Sequence, residues 1–196
     1  MVASQATDRS SILRTRTCVK VIHTFMEIVK FIKTEEISEQ VNTLFESERQ
    51  KLSGLLPNAA IEHVGGTSIL GTITKGDLDI NVRVKPKDLD TTLKILKTLY
   101  EINQTENWSK EFASFKDDSR HIGVQVTVID SPEDYFVAQR EYLKSNPQAV
   151  FELNALKKKF DGKNMNEYRK EKSKFFEEIN SKISNSNQAF KSPTRP

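Results

Sequence analysis

Cysteine is almost missing from this chain: Cys18 stands alone among 196 residues, so no disulfide can form within it. With three histidines beside that one thiol, it also lacks the ligands of a Cys/His zinc module. A reducing compartment, the cytoplasm, is the expected setting. Long apolar runs are missing as well. The best stretch, Cys18 to Ile32, is broken by Lys20, Glu27 and Lys30, whereas a membrane helix needs roughly 18 apolar residues in succession. No membrane span is expected. Charge of one sign is scarce too. The net charge is +3, and residues 1–25 carry all of it, with Arg9, Arg14, Arg16 and Lys20 against Asp8. The rest of the chain balances to zero, which argues against a general binder of polyanions. One basic run, Lys157 to Lys174, reads as a solvated helix face.

What is present suits one α/β (α+β) domain, residues 26–183, between a flexible N-terminal arm, 1–25, and a disordered tail, 184–196. Ile37, Val41, Leu44, Phe45 and Leu52 recur at the spacing of one helical face, predicting a helix over Glu35 to Leu56 that ends near Pro57. Ala59 to Val64 reads as a strand running into the Gly65-Gly66 turn. In Leu78 to Val84 apolar residues alternate with Asp79, Asn81 and Arg83, and in His121 to Ile129 they alternate with His121, Gly123, Gln125 and Thr127. Both are strands with one polar face. Leu89 to Tyr100 predicts a helix and Trp108 to Phe115 a further strand. Ser131-Pro132-Glu133-Asp134 carries the signals of a helix start. A further helix runs from Asn146-Pro147 to Phe160, and a last one from Met165 to about Ile183. Phe151, Phe160, Phe175 and Phe176 are expected to be the contacts between these helices.

Chemistry concentrates in Glu62-His63-Val64-Gly65-Gly66-Thr67-Ser68, followed by Lys75-Gly76-Asp77-Leu78-Asp79-Ile80. A strand ending in two glycines, then Thr67 and Ser68, offers backbone N–H groups and hydroxyls that an anion can approach closely. Asp77 and Asp79, two apart at a strand start, project from one face and can share a hard divalent cation. A phosphate cradle beside a carboxylate pair is what metal-assisted phosphoryl or nucleotidyl transfer needs. Lys75 either contacts phosphate or covers surface. His63 and His121 read as structural histidines, although His121 begins the polar face that bears Gln125. Arg140, Lys144, Arg169 and Lys172 are cations within reach from the terminal helices.

The order apolar-Gly65-Gly66, ten residues, Asp77-Leu78-Asp79-Ile80 resembles the signature of the nucleotidyltransferase superfamily related to DNA polymerase beta. Together with Asn154-Ala155-Leu156-Lys157 and Tyr168-Arg169, the two motifs look like those of the GrpB (UPF0157) family, over roughly Met26 to Phe176. The resemblance implies a nucleotidyltransferase-like mixed sheet flanked by helices. It further implies Mg2+ on Asp77 and Asp79, and the phosphates of a nucleoside triphosphate on Gly65, Gly66 and Ser68, while the balanced charge of the main domain favours a small molecule or protein over a polynucleotide as acceptor. Active superfamily members usually add a third carboxylate on a neighbouring strand. Here that polar face offers Gln125 and Thr127, and Glu62 or Asp130 are the possible substitutes. Gly66 also stands where many relatives have Ser. Two readings stay open: a nucleotidyltransferase, and a nucleotide-binding or regulatory module that has lost catalysis.

Overall fold

Two strands with one apolar and one polar face organise the molecule. The computed structural model describes residues 28–191, so the expected arm, residues 1–25, lies outside the described residues. In chain order the elements are β1 (Ile32–Lys33), α1 (Ser38–Leu55), β2 (Ala60–Val64), β3 (Ile73–Thr74), β4 (Leu78–Val84), α2 (Leu89–Leu96), β5 (Glu101–Asn103), β6 (Phe112–Asp117), β7 (Ile122–Val128), α3 (Phe136–Ser145), α4 (Pro147–Phe160) and α5 (Met165–Lys191). Five strands form a mixed sheet in the order β2-β4-β7-β6-β5. Only β4 and β7 run parallel, while β2 on β4, β6 on β7 and β5 on β6 are antiparallel. β1 and β3 pair separately.

The apolar face of the sheet is built from Leu78, Ile80, Val82 and Val84 of β4 and Ile122, Val124 and Val126 of β7, all buried. Val41, Leu52 and Leu56 at α1 and Leu96 of α2 pack on it, which leaves those two helices their outward polar faces. α3, α4 and α5 form a second core around Leu143, Leu153 and Ile179. A third group, Val29, Phe160, Met165 and Tyr168, ties the N-terminal segment to the last two helices. The result is a mixed α/β fold with its sheet flanked by helices and three helices at the C-terminus.

Several boundaries differ from those the sequence predicts. α3 begins at Phe136 rather than Ser131. The Asp134 carboxylate is drawn to Arg83 at 2.6 and 2.5 Å and to the Asp130 N–H at 3.0 Å, which holds the segment as a turn. The third predicted strand is displaced: Trp108 precedes it, tilted against Phe115 with ring centroids 5.3 Å apart, and the strand itself is β6. α5 continues past Ile183 to Lys191, because Ser184-Asn185-Ser186-Asn187 contains neither Gly nor Pro to stop a helix already formed. Phe151 is 67% exposed and is not an interhelical contact, unlike Phe160, Phe175 and Phe176.

Candidate functional site

At the C-terminal end of β2 the chain turns sharply through Gly65, with φ +74° and ψ −170°, a conformation open to glycine and strained for other residues. A tight turn over Gly66–Ser68 follows, closed by Ser68 N–H to Gly65 O and Ile69 N–H to Gly66 O. The hydroxyls of this segment serve the turn. Ser68 Oγ donates to Gly65 O at 2.7 Å, and Thr67 Oγ1, on a buried residue, donates to Asp77 O at 3.0 Å. Because the Thr67 proton is committed to Asp77 O, His63 Nε2 must be the donor in its 3.0 Å contact with Thr67 Oγ1. His63 lies on the apolar face, stacked on Phe45 at 5.0 Å. Burial and the neighbouring cations Arg140 and Lys144 bring it down to about 4, so it is neutral near pH 7.

Register places Asp79 of β4 between Val64 of β2 and Gly123 of β7. Its carboxylate lies over both glycine-containing neighbours. A Cβ at Gly65 would stand 2.2 Å from Asp79 Oδ2, and one at Gly123 would stand 3.0 Å from Oδ1. Glycine at 65 and 123 is therefore what makes room for this side chain. The Gln125 amide faces the Asp79 carboxylate over Gly123, with Gln125 Nε2 and Asp79 Oδ1 at 3.3 and 3.0 Å from where a Gly123 Cβ would be, while Gln125 Oε1 is buried without a partner. Asp79 is only partly covered by area, yet enough protein surrounds its carboxylate for burial to raise it above the ordinary range. Lys172 opposes that rise, Asp77 adds to it, and Lys75 and the Gln125 amide oppose it. Asp77 is more open and forms an ion pair with Lys75 at 2.6 Å.

The helices add a residue that the sequence pattern hid. Lys157 of α4 is 4% exposed, with Nζ hydrogen-bonded to Ile73 O and 3.2 Å from where a Gly66 Cβ would be. Burial, then Lys172, lowers it to about 7, against the pull of Asp79. Its spacing from Leu153 and Phe160, both buried on the same helix, was the available signal: a lysine at i+4 and i−3 of core residues faces inward. Asn154, one turn earlier, accepts from Ile73 N at 2.9 Å and donates to Gly71 O at 2.7 Å. α4 thus grips both backbone groups of Ile73 and holds the loop behind the turn. Tyr168, buried on α5, is raised by burial and by the Asp79 charge.

Gly65, Gly66, Thr67, Ser68, Lys75, Asp77 and Asp79 therefore converge on one end of β4, with Lys157 and Lys172 acting on Asp79 from the helices. Other candidates are engaged elsewhere. Glu62 pairs with Arg140 at 2.9 Å, and Arg140 also donates to His63 O. Asp130 is exposed at φ +63°. His121 is exposed at φ +54°, outside β7, and does not begin its polar face. Among the described residues no group of three His, Cys, Asp or Glu is placed to hold a metal, so Asp77 and Asp79 stand as a pair. Also among the described residues, no helix is long and apolar enough to cross a membrane.

Comparison with known proteins extends this picture. A UPF0157 protein of Vibrio cholerae is 33% identical over 153 residues, 77% of this chain and 81% of that protein. The crystal structure of the conserved protein GrpB from Enterococcus faecalis superposes with a TM-score of 0.52 at 26% identity, covering 61% of this chain and 76% of the other. A weaker likeness, TM-score 0.45 at 10% identity over 64% of this chain and 40% of the other, is to Cid1, described for its RNA terminal uridylyl transferase activity. Residues 32–182 match the GrpB protein family, and the chain belongs to it.

Proposed function

We propose that this protein is a Mg2+-dependent nucleotidyltransferase, moving a nucleoside monophosphate from a nucleoside triphosphate to a hydroxyl acceptor. The observation that carries this reading is the seating of the Asp79 carboxylate directly over Gly65, which puts a carboxylate pair against a Gly-Gly turn. Two hard oxygen donors whose mutual charge raises Asp79 suit a divalent cation, which would relieve that repulsion. Asp77 and Asp79 would hold Mg2+, which when bound supplies charge neutralisation on the triphosphate and polarises the α-phosphate.

The chain's own groups account for the rest. With the Ser68 and Ile69 N–H groups turned inward, the Gly66 and Thr67 N–H groups meet the phosphate oxygens, and the Thr67 and Ser68 hydroxyls keep the turn in shape. Lys157, buried beside Gly66, offers a cation from the helix side, and Lys75 shares its charge between Asp77 and solvent. The acceptor oxygen attacks the α-phosphorus and releases its proton to solvent. The bond to the β-phosphate breaks, and pyrophosphate leaves with that electron pair.

A specific observation favours a second reading, a nucleotide-binding module without turnover. Gln125, an amide with no anionic oxygen, is the side chain that faces Asp79 from the neighbouring strand. Titrating the full chain with ATP, GTP, CTP and UTP, with and without Mg2+, and following pyrophosphate release in the same samples separates the two. The first reading expects Mg2+-dependent binding and release, both abolished by Asp79→Asn. Binding without release supports the module, and binding of none of the four overturns both.

A further inference from the structure

Beside the turn lies an open cleft of about 540 Å3, in the size range of small-ligand sites. Its walls are apolar: Ile69, Leu70, Leu143, Pro147 and Val150, with Gly71 at one edge. Ile69 and Leu143 form a buried floor, whereas Leu70 is 71% exposed at the rim. Phe151, one turn beyond Pro147 on α4, is 67% exposed. These are the two most exposed large apolar side chains among the described residues, and both stand at this cleft or next to it. Clustered exposure of this kind marks a binding surface more often than chance.

The polar groups in the wall are already used. Ser68 Oγ bonds Gly65 O, Ile69 N–H bonds Gly66 O, and Ile69 O accepts from Thr72 Oγ1 at 3.0 Å. Gly71 N–H is taken by Glu35 Oε1 at 2.6 Å, and Gly71 O by Asn154. The cleft therefore has little with which to read the hydrogen-bonding edge of a nucleobase. What it does offer is apolar contact and one cation. Lys144 lines it, half-exposed and only loosely paired with Glu141 at 3.8 Å, and its charge reaches His63 behind the turn. The cleft is continuous with the turn through Ser68, which lines the cleft and bonds Gly65, the residue beneath Asp79.

We infer that this cleft binds the acceptor, and that the acceptor is a small amphiphile: an apolar chain or ring carrying an anionic group, which Lys144 meets at the mouth. The assignment as acceptor site rests on the nucleotidyltransferase reading, whereas the binding itself does not. The test titrates the isotope-labelled full chain, followed by NMR, with octyl phosphate, butyl phosphate, octanol and inorganic phosphate. Octyl phosphate should bind tightest, with affinity rising about fourfold per methylene from butyl to octyl. Lys144→Ala should weaken octyl phosphate about tenfold and leave octanol unaffected, and Leu70→Asp should weaken both alkyl phosphates about tenfold.

Four outcomes overturn the inference. No saturable shift with octyl phosphate removes the site, and octanol binding as tightly as octyl phosphate removes the anionic class. Octyl phosphate binding lost in Asp79→Asn but kept in Leu70→Asp assigns it to the turn instead. NTP affinity lost in Leu70→Asp gives the cleft to the base. Binding of octyl phosphate as expected, with no binding of any NTP, would leave the cleft in place and sink the nucleotidyltransferase reading alone.

Discussion

Asp79 Oδ2 occupies the space that a side chain at residue 65 would need, lying 2.2 Å from the position of a Gly65 Cβ. The residue also has φ +74°, so Gly65→Ala meets two separate obstacles. Backbone strain costs about 1–3 kcal/mol, and relief of the clash moves the carboxylate off its seat. The expected outcome is a lowered melting temperature together with loss of any Mg2+-dependent nucleotide binding. Gly54→Ala is the matched control: it lies within α1, and nothing stands within 4 Å of its added Cβ. That change should stabilise by about 0.5–1 kcal/mol. Equal effects from the two substitutions would contradict the account.

The loop behind the turn should depend on α4. Asn154 bonds Ile73 N and Gly71 O at once, so Asn154→Ala removes two hydrogen bonds worth about 1 kcal/mol each and leaves an amide without its acceptor. Faster hydrogen exchange is expected at the Ile73 amide, with little change in β4 or β7. Asn154→Asp retains the acceptor for Ile73 N but faces Gly71 O with a carboxylate, so it should protect that amide better than Ala does.

Much of this architecture can be read from residue order. β4 and β7 declare themselves because Ile80, Val82, Val124 and Val126 alternate with polar residues over whole strands, and the Gly65-Gly66 turn and the Asp77/Asp79 spacing stand out for the same local reason. The Pro147 start and Phe160 end of α4 are equally legible, since Pro and Asp161-Gly162 mark them. What escapes is long-range. β5 is three residues, Glu101–Asn103, with no period to detect. The two-residue strands β1 and β3 exist only because Ile32 and Thr74 meet. Ser131–Asp134 has the composition of a helix start, but a partner far back in sequence, Arg83, claims Asp134. Lys157 falls within a basic run that suggests a solvated face, and its burial against Ile73 and Gly66 depends on how α4 docks.

An ion pair with one buried partner, Glu48, fastens α1 to the β6–β7 turn. Glu48 is 3% exposed and is bonded by Tyr100 OH and Arg120 Nη1. Arg120 also bonds Asp117 at 2.6 Å. Burial raises Glu48, but the Tyr100 and Arg120 bonds outweigh it and leave its carboxyl below the ordinary range. Arg120→Met strips the nearest cation from a carboxylate that remains buried, with Lys51 still 3.8 Å away, and should cost about 1–3 kcal/mol in chemical denaturation. Arg120→Met with Glu48→Gln should recover part of that loss. A double variant as unstable as the sum of the two singles would exclude the pairing as the cause.

His63 should make the fold sensitive to mild acid. It is held neutral, at about 4 against an ordinary 6.5, so between those values the unfolded chain binds a proton that the folded chain refuses. Stability therefore falls as pH drops from 6.5 towards 4, by about 3 kcal/mol at most, and this contribution is flat above 6.5. Glu48, Asp117 and Asp134, all held below their ordinary carboxylate values, contribute their own losses mainly below about 4.5, whereas Asp79, held above its ordinary value, gains stability as it protonates and opposes the fall, so the His63 contribution is read as the difference between the parent and a variant without the imidazole. His63→Gln keeps a donor for Thr67 and does not titrate. Urea unfolding at a series of pH values should show the parent losing stability relative to the variant as pH falls from 6.5 to 4.5, and parallel pH profiles for the two proteins would exclude His63 as the cause.

The Gln125 amide faces Asp79 over Gly123 while its carbonyl oxygen lies buried without a partner, so Gln125→Glu sets a carboxylate against one that burial and Asp77 already raise. Without a divalent cation the added repulsion should lower the melting temperature, since like charges at this range cannot both ionise without cost. With Mg2+ present the three oxygens become a better cage than the pair alone, and binding to the folded state restores stability by mass action. The melting temperature of the variant should therefore depend on Mg2+ far more steeply than that of the parent, and the difference should vanish in Asp79→Asn/Gln125→Glu. Melts of Gln125→Glu that are indifferent to Mg2+ would mean that Asp77 and Asp79 do not form a cation site, whatever role they have in the fold.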